Sequence, residues 1–131
     1  MICCRGSMFA VGSALDLQAV YSQVIENRNR FTEVRLERGC VYAEWEDEYP
    51  AVKDIPSKDI PLVSGLFPHV RFGTVWGCVG CFIAYGVYAA GAEEASRGER
   101  IDTPDQVDKF LERAYAVVEG HLNHAVSRIA S

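Results

Sequence analysis

Residues 72–92 read FGTVWGCVGCFIAYGVYAAGA, twenty-one positions without a charged side chain. How this run folds decides the rest of the chain. It holds one isoleucine and no leucine, and glycines stand at 73, 77, 80, 86 and 91. About 20 predominantly apolar residues suffice to cross a bilayer, yet this composition is weakly hydrophobic for a lipid-facing segment. No second span and no basic loop cluster accompany it. The expectation is a buried element, with no membrane as partner. Gly73, Gly77 and Cys81 recur every four residues, as do Gly80 and Ala84, which on a helix makes two small grooves along one side. Each glycine in an exposed helix interior costs roughly 0.5–1 kcal/mol relative to alanine. Such a helix needs a neighbouring backbone against it.

The end of the chain supplies that neighbour. Thr103, Pro104, Asp105 and Gln106 carry the signature of a helix start, a capping box with proline at the first helical position. Val107, Phe110, Leu111, Ala114, Val118, Leu122, Ala125 and Ile129 then form one apolar stripe. The spacing predicts a helix from Pro104 to near Ile129. The glycine-rich run, extended by Glu93, Glu94 and Ala95 to about Arg97, is expected to form its companion, and a short connection makes two such helices antiparallel neighbours. The fold class so predicted is mainly α: a small helical bundle built on a long antiparallel hairpin, about 74–97 against 104–129.

Outward from the hairpin the signals are local. Ser13 followed by Asp16 resembles a capping box, and Leu17, Val20, Tyr21, Val24 and Ile25 fall at helical spacing, predicting a first helix from about Ala14 to about Arg28. Residues 32–46 satisfy two templates, a continued helix or a β-hairpin about a Glu-Arg-Gly turn, with the helix slightly preferred. From Pro50 to Pro68 prolines at 50, 56, 61 and 68 predict a wrapping connector with at most one turn of helix near Leu62 to Leu66. Residues 1–7, MICCRGS, read as an appended or disordered leader, which leaves 8–131 as a single globular domain.

The 131 residues are 49% apolar and 24% charged, which suits one domain with one sizeable core. A formal charge of -5, without a concentrated basic surface, argues against a nucleic-acid partner. The cysteine count of five (Cys3, Cys4, Cys40, Cys78, Cys81) is odd, and no continuous apolar stretch opens the chain, so a reducing cytoplasmic setting is expected.

No catalytic motif stands out, and neither an enzymatic activity nor a cofactor is expected. If the hairpin pairs residue n with about 201 minus n, Cys78 and Cys81 face His121 and His124. That is the ligand inventory of a tetrahedral zinc site, or a thiol-dependent centre, as an alternative reading. A second alternative is a small-ligand pocket between the helices, with Tyr85 or Tyr88 supplying a hydroxyl. The leading candidate is the stretch Glu44, Trp45, Glu46, Asp47, Glu48 and Tyr49, where carboxylates bracket two aromatics, a composition suited to a basic protein surface. Trp76, Phe82, Tyr85, Tyr88 and Tyr115 exceed what a short first helix could cover, which points to self-association as a homodimer. The expected function is that of a small acidic interaction protein that binds and regulates or inhibits a larger protein, such as a transcription factor, an enzyme or a toxin, by masking a surface.

Overall fold

In a computed structural model, which describes residues 2–37, 39–78, 82–101 and 104–122, the decisive run is sheet rather than helix. In chain order the elements are β1 (Ile2–Val11), α1 (Ala14–Glu26), β2 (Glu33–Glu37), β3 (Cys40–Tyr49), α2 (Ile60–Leu66), β4 (Arg71–Cys78), β5 (Phe82–Ala89), β6 (Ala92–Arg100) and α3 (Pro104–His121). The six strands form one sheet in the order β2-β3-β1-β4-β5-β6, with every neighbouring pair antiparallel.

The predicted helical bundle is therefore overturned. Residues 74–97, expected as one long helix, are divided among β4, β5 and β6; the second partner is helical as expected over α3, and residues 123–129 of its predicted span lie outside the described residues. The physical reason lies in coverage. Helices α1 and α2 lie on one face of the sheet, where Leu17, Val20, Val24 and Ile60 join Met8, Trp45, Phe72 and Trp76 in a core. On the other face α3 places Phe110, Ala114, Val118 and Leu122 over Phe9, Val75, Ile83 and Val87 in a second core. A strand buried on both faces loses the apolar-polar alternation that marks a half-exposed strand, and reads as a continuous apolar run.

The glycines do admit close neighbours, though from a strand. A Cβ added at Gly73 would lie 2.5 Å from Val118 Cγ1 and 3.0 Å from Leu122 Cδ1, so the last turns of α3 rest on that position. Arg71, two residues earlier on the same face, donates to the His121 carbonyl at the end of α3 and to the Glu94 carboxylate on β6.

Residues 2–7, read from the sequence as a leader, are more than half of β1, which sits in the interior of the sheet between β3 and β4. Residues 32–46 resolve to the hairpin: β2 and β3 pair from Glu33 opposite Glu44 to Glu37 opposite Cys40, with Gly39 at φ 71° in the turn. The first helix stands where its cap predicts, Ser13 Oγ accepting from the Asp16 N–H at 3.2 Å, and Leu17, Val20 and Val24 are buried. The proline-rich connector contains α2, close to the expected turn.

The β5–β6 turn is Ala90-Gly91, both at positive φ (51° and 81°), as a two-residue type I′ hairpin demands. Gly91 is braced by α2: its N–H donates to Ser64 Oγ at 3.1 Å, and Ser64 donates to the Pro61 carbonyl at 2.9 Å. Ala90 is exposed and carries a Cβ in a left-handed conformation that asparagine tolerates better. Ala90→Asn should raise the unfolding free energy by about 0.5–1 kcal/mol. Urea denaturation measures this, with Ala90→Val, which falls in stability, as the opposite control.

Burial also sets an alkaline limit. Cys40 is fully buried, and burial pushes its thiol up from the ordinary value near 9 to about 11. The folded state holds this proton more tightly than the unfolded chain. The associated stability is thus complete below pH 9 and is lost as pH rises through 11, about 2–3 kcal/mol in all. Unfolding midpoints measured from pH 8 to 11 should fall, and Cys40→Ala should flatten that slope.

Candidate functional site

Six strands spaced about 4.8 Å apart make a face roughly 24 Å wide, and one helix with its side chains spans about 10 Å. Helix α3 lies over β4 and β5, so it leaves the β3 and β2 side of its face open. Antiparallel register and the period of two bring Arg5 and Ser7 of β1 beside Glu46 and Glu44 of β3, and Glu33 of β2 beside Glu44. Between these strands and the flank of α3 runs a groove of about 470 Å³, whose walls include Arg5, Ser7, Tyr42, Glu44, Glu46 and Val75 from the sheet and Asp108, Leu111, Glu112 and Tyr115 from the helix.

A chain of hydroxyls forms the floor. Ser7, buried at 4% exposure, lies 3.2 Å from both the Tyr42 and the Tyr115 hydroxyls, and Tyr42 donates to the Glu44 carboxylate. Each hydroxyl has one proton to give. With Tyr42's proton committed to Glu44, Ser7 must donate to Tyr42 and Tyr115 must donate to Ser7. Every bond in the chain thus points toward Glu44 and fixes its carboxylate. Burial first, and the Glu44 carboxylate second, push the Tyr42 phenol above its usual range, so Tyr42 remains a neutral donor. The Phe9 ring meets Tyr42 at 5.2 Å and Tyr115 at 5.9 Å between centroids, holding both phenols in place from the sheet side.

Electrostatics around the groove favour a cation. Among the described residues its walls carry four carboxylates, Glu44, Glu46, Asp108 and Glu112, against a single cationic side chain, Arg5. Arg5 approaches Asp108 at 3.5 Å, but both side chains are well exposed, and such pairs are weak. Outside the groove Arg35 stacks on the Tyr42 ring with its guanidinium carbon 4.6 Å from the centroid, and pairs with Glu33 and Glu37, each at 3.1 Å. Clefts of one charge sign focus the field and concentrate counter-charged ligands. Chemically the arrangement offers anionic acceptors beside a buried chain of hydroxyls, the inventory for holding an ammonium or guanidinium group.

The acidic stretch expected to act as one surface is divided by its strand. Glu44, Glu46 and Glu48 share the α3 side, while Trp45, Asp47 and Tyr49 face α1 and α2. Trp45 is 1% exposed and belongs to the core; of the stretch, Glu44, Trp45 and Glu46 border the groove and Asp47, Glu48 and Tyr49 do not. The Cys/His pairing is also taken apart. Cys78 closes β4 on the α1 side of the sheet. His121 ends α3, whose carbonyl there is bonded to Arg71 at the opposite end of β4, about 23 Å away along the strand. Cys81 and His124 lie outside the described residues. Among the described residues no group of three or more His, Cys, Asp or Glu side chains is placed to hold a metal ion.

The aromatics assigned to self-association are distributed over both faces. Trp76 is buried near α2, with Lys58 Nζ 5.4 Å above its ring; Tyr88 packs against the same core; Tyr115 joins the hydroxyl chain. Tyr85 borders a second cavity, between α3 and β6. Phe82 opens β5, and its side chain lies outside the described residues. The premise of the self-association reading, a helical hairpin whose rings one short first helix could not cover, lapses with the hairpin. No helix among the described residues is long and apolar enough to cross a membrane.

Ser7, Tyr42, Asp108 and Glu112 escaped the sequence reading. Ser7 falls in the segment that reads as a leader, and the others carry no local pattern, since β1, β3 and α3 meet only in three dimensions. Compared with protein-family models, with curated proteins and with solved structures, the chain matches none.

Proposed function

We propose that this chain is a binding protein that takes an arginine or lysine side chain of a larger protein into the groove beside α3, and acts by masking the surface that carries it. The observation supporting this reading is the excess of carboxylates over cations around a cleft whose floor is a hydrogen-bonded chain ending on Glu44. A directed hydroxyl chain holds Glu44 ready to accept without reorganisation, which lowers the cost of binding. The aromatic walls supply contact area at small entropic cost. The acidic surroundings would speed encounter with a basic partner and oppose acidic ones.

Blocked peptides with a central arginine, and the same peptides with neutral citrulline in its place, test the reading by amide-shift NMR titration. The arginine peptide should perturb Ser7, Glu44, Glu46 and Glu112, with affinity falling between 20 and 200 mM salt in the manner of screened charge. Equal shifts with the citrulline peptide, or shifts centred away from the groove, overturn the proposal.

A further inference from the structure

Two of the five cysteines meet across the sheet. In the antiparallel register of β1 and β4, Cys4 stands directly opposite Cys78, and theirs is the last row of that ladder. Both side chains belong to the core on the α1 side, at 3% and 2% exposure. The spacing of the row follows from its neighbour. Directly opposed residues of antiparallel strands alternate between a wide, hydrogen-bonded pair and a narrow one, and a step of two residues returns the same kind. Two residues along from Cys4, Gly6 faces Trp76, and a Cβ built on Gly6 would lie 2.6 Å from Trp76 Cβ. That row is narrow, so the Cys4–Cys78 row is narrow as well. Narrow pairs hold their Cα atoms about 4.5 Å apart, inside the roughly 4.4–6.8 Å that a disulfide spans. The two sulfurs can therefore bond by side-chain rotation, with the strands left in register.

The other described cysteines are placed elsewhere. Cys3 is exposed and donates to the Glu48 carboxylate at 3.4 Å, and Cys40 lies in the core beneath α3. We propose that Cys4 and Cys78 are a redox couple, joined under oxidising conditions by a cross-strand disulfide that fastens β1 to β4. The oxidant is a low-molecular-weight disulfide, of which oxidised glutathione is the probe. One cysteine, as its thiolate, attacks a sulfur of that disulfide, forming a mixed disulfide and expelling one small thiolate. The second cysteine gives up its proton and attacks the protein-side sulfur, expelling the other. Each departing thiolate takes up the proton that its attacker released. The protein thus loses two electrons and two protons, and the small disulfide is reduced to two thiols. Burial slows the first attack, but the last row of a ladder opens by local fraying rather than by global unfolding. The closed bridge ties together segments separated by α1, β2, β3 and α2, which removes freedom from the unfolded chain. It also pins β1 next to Arg5, a wall residue of the groove, whatever that groove binds.

Disulfide mapping tests it. The native chain, held for a day in about 5 mM oxidised glutathione and then blocked with N-ethylmaleimide, should yield on digestion a fragment in which Cys4 is bonded to Cys78. The thermal midpoint should rise by roughly 10 °C and return when dithiothreitol is added. A chain carrying Cys3→Ser and Cys81→Ser together should form the same bond with the same rise, and Cys4→Ser should show neither. Fragmentation of the wild-type digest locates the bond without any variant. Cys4 and Cys78 that remain thiols, or that stop at glutathione adducts, overturn the proposal. So does a bond that runs through Cys3 or Cys81 instead, a Cys4–Cys78 bond that leaves the midpoint unchanged or lowers it, or a rise that survives Cys4→Ser.

Discussion

Gly6→Val should not fold, and Gly6→Ala should lose about 3 kcal/mol or more of unfolding free energy, although both changes add only methyl groups. Gly6 stands in register with Trp45 on one side and Trp76 on the other, and all three face the α1 side of the sheet. A Cβ there would lie 2.3 Å from Trp45 Cζ2 and 2.6 Å from Trp76 Cβ. The second of these atoms sits next to the main chain and cannot swing away. Trp45 is 1% exposed and cannot relocate without opening the core that it fills. Neighbouring rows of β1 use the complementary arrangement, Met8 between Ala43 and Thr74, so large and small residues alternate across the strands. Domains of this size are stabilised by only about 5–15 kcal/mol, so a clash with two fixed rings is enough to decide the outcome. Gly120→Ala is the control. It lies near the end of α3 with nothing within 4 Å of an added Cβ, and there alanine should raise stability by about 0.5–1 kcal/mol. Chemical denaturation of the three variants gives the ordering, and a Gly6→Ala protein as stable as wild type would refute this account of the β1 packing.

The second large effect concerns affinity. Glu46→Lys combined with Glu112→Lys reverses two of the four groove carboxylates, moving the local charge by four units. Each unit acts on a bound guanidinium at roughly 6–8 Å through a water-like dielectric, worth about 0.5–0.7 kcal/mol at low salt. The sum, about 2–3 kcal/mol, corresponds to roughly thirtyfold to a hundredfold weaker binding of the arginine peptide. Glu46 and Glu112 are both exposed, so the thermal midpoint should change by no more than a few degrees. Calorimetry at 20 mM salt reads the affinity, and raising the salt to 200 mM should shrink the difference. Tyr42→Phe separates a different contribution. It keeps every charge but removes the donor to Glu44, so it should weaken peptide binding through a less ordered carboxylate while leaving the salt dependence unchanged.

Residues 72–92 show why a pattern can be read and still mislead. The spacing of four that places Gly73 and Gly77 on one side of a helix is an even number, so it also places them on one side of a strand. The requirement inferred from those glycines, a close neighbour against a small-residue surface, is met by Val118 and Leu122 at Gly73. The neighbour is the predicted terminal helix. What the spacing could not supply was the conformation of the partner it described. Similarly, Trp45 and the carboxylates around it are adjacent in sequence but alternate between faces, so a cluster in the chain became two separate surfaces.

Local interactions made α1, the α2 turn and the start of α3 legible in advance, because caps, prolines and a one-sided apolar stripe act within a few residues of one another. The acidic balance of the surface was equally plain from composition. Strand identity for the glycine-rich run, the place of residues 2–7 inside the sheet, and the groove itself were settled by the tertiary structure alone. Each depends on pairings between distant segments: Gly6 with Trp45 and Trp76, Ser7 with Tyr42 and Tyr115. Helices on both faces erase the alternation that would have announced the strands, and hydrogen bonds between separate strands leave no trace in the order of residues along any one of them.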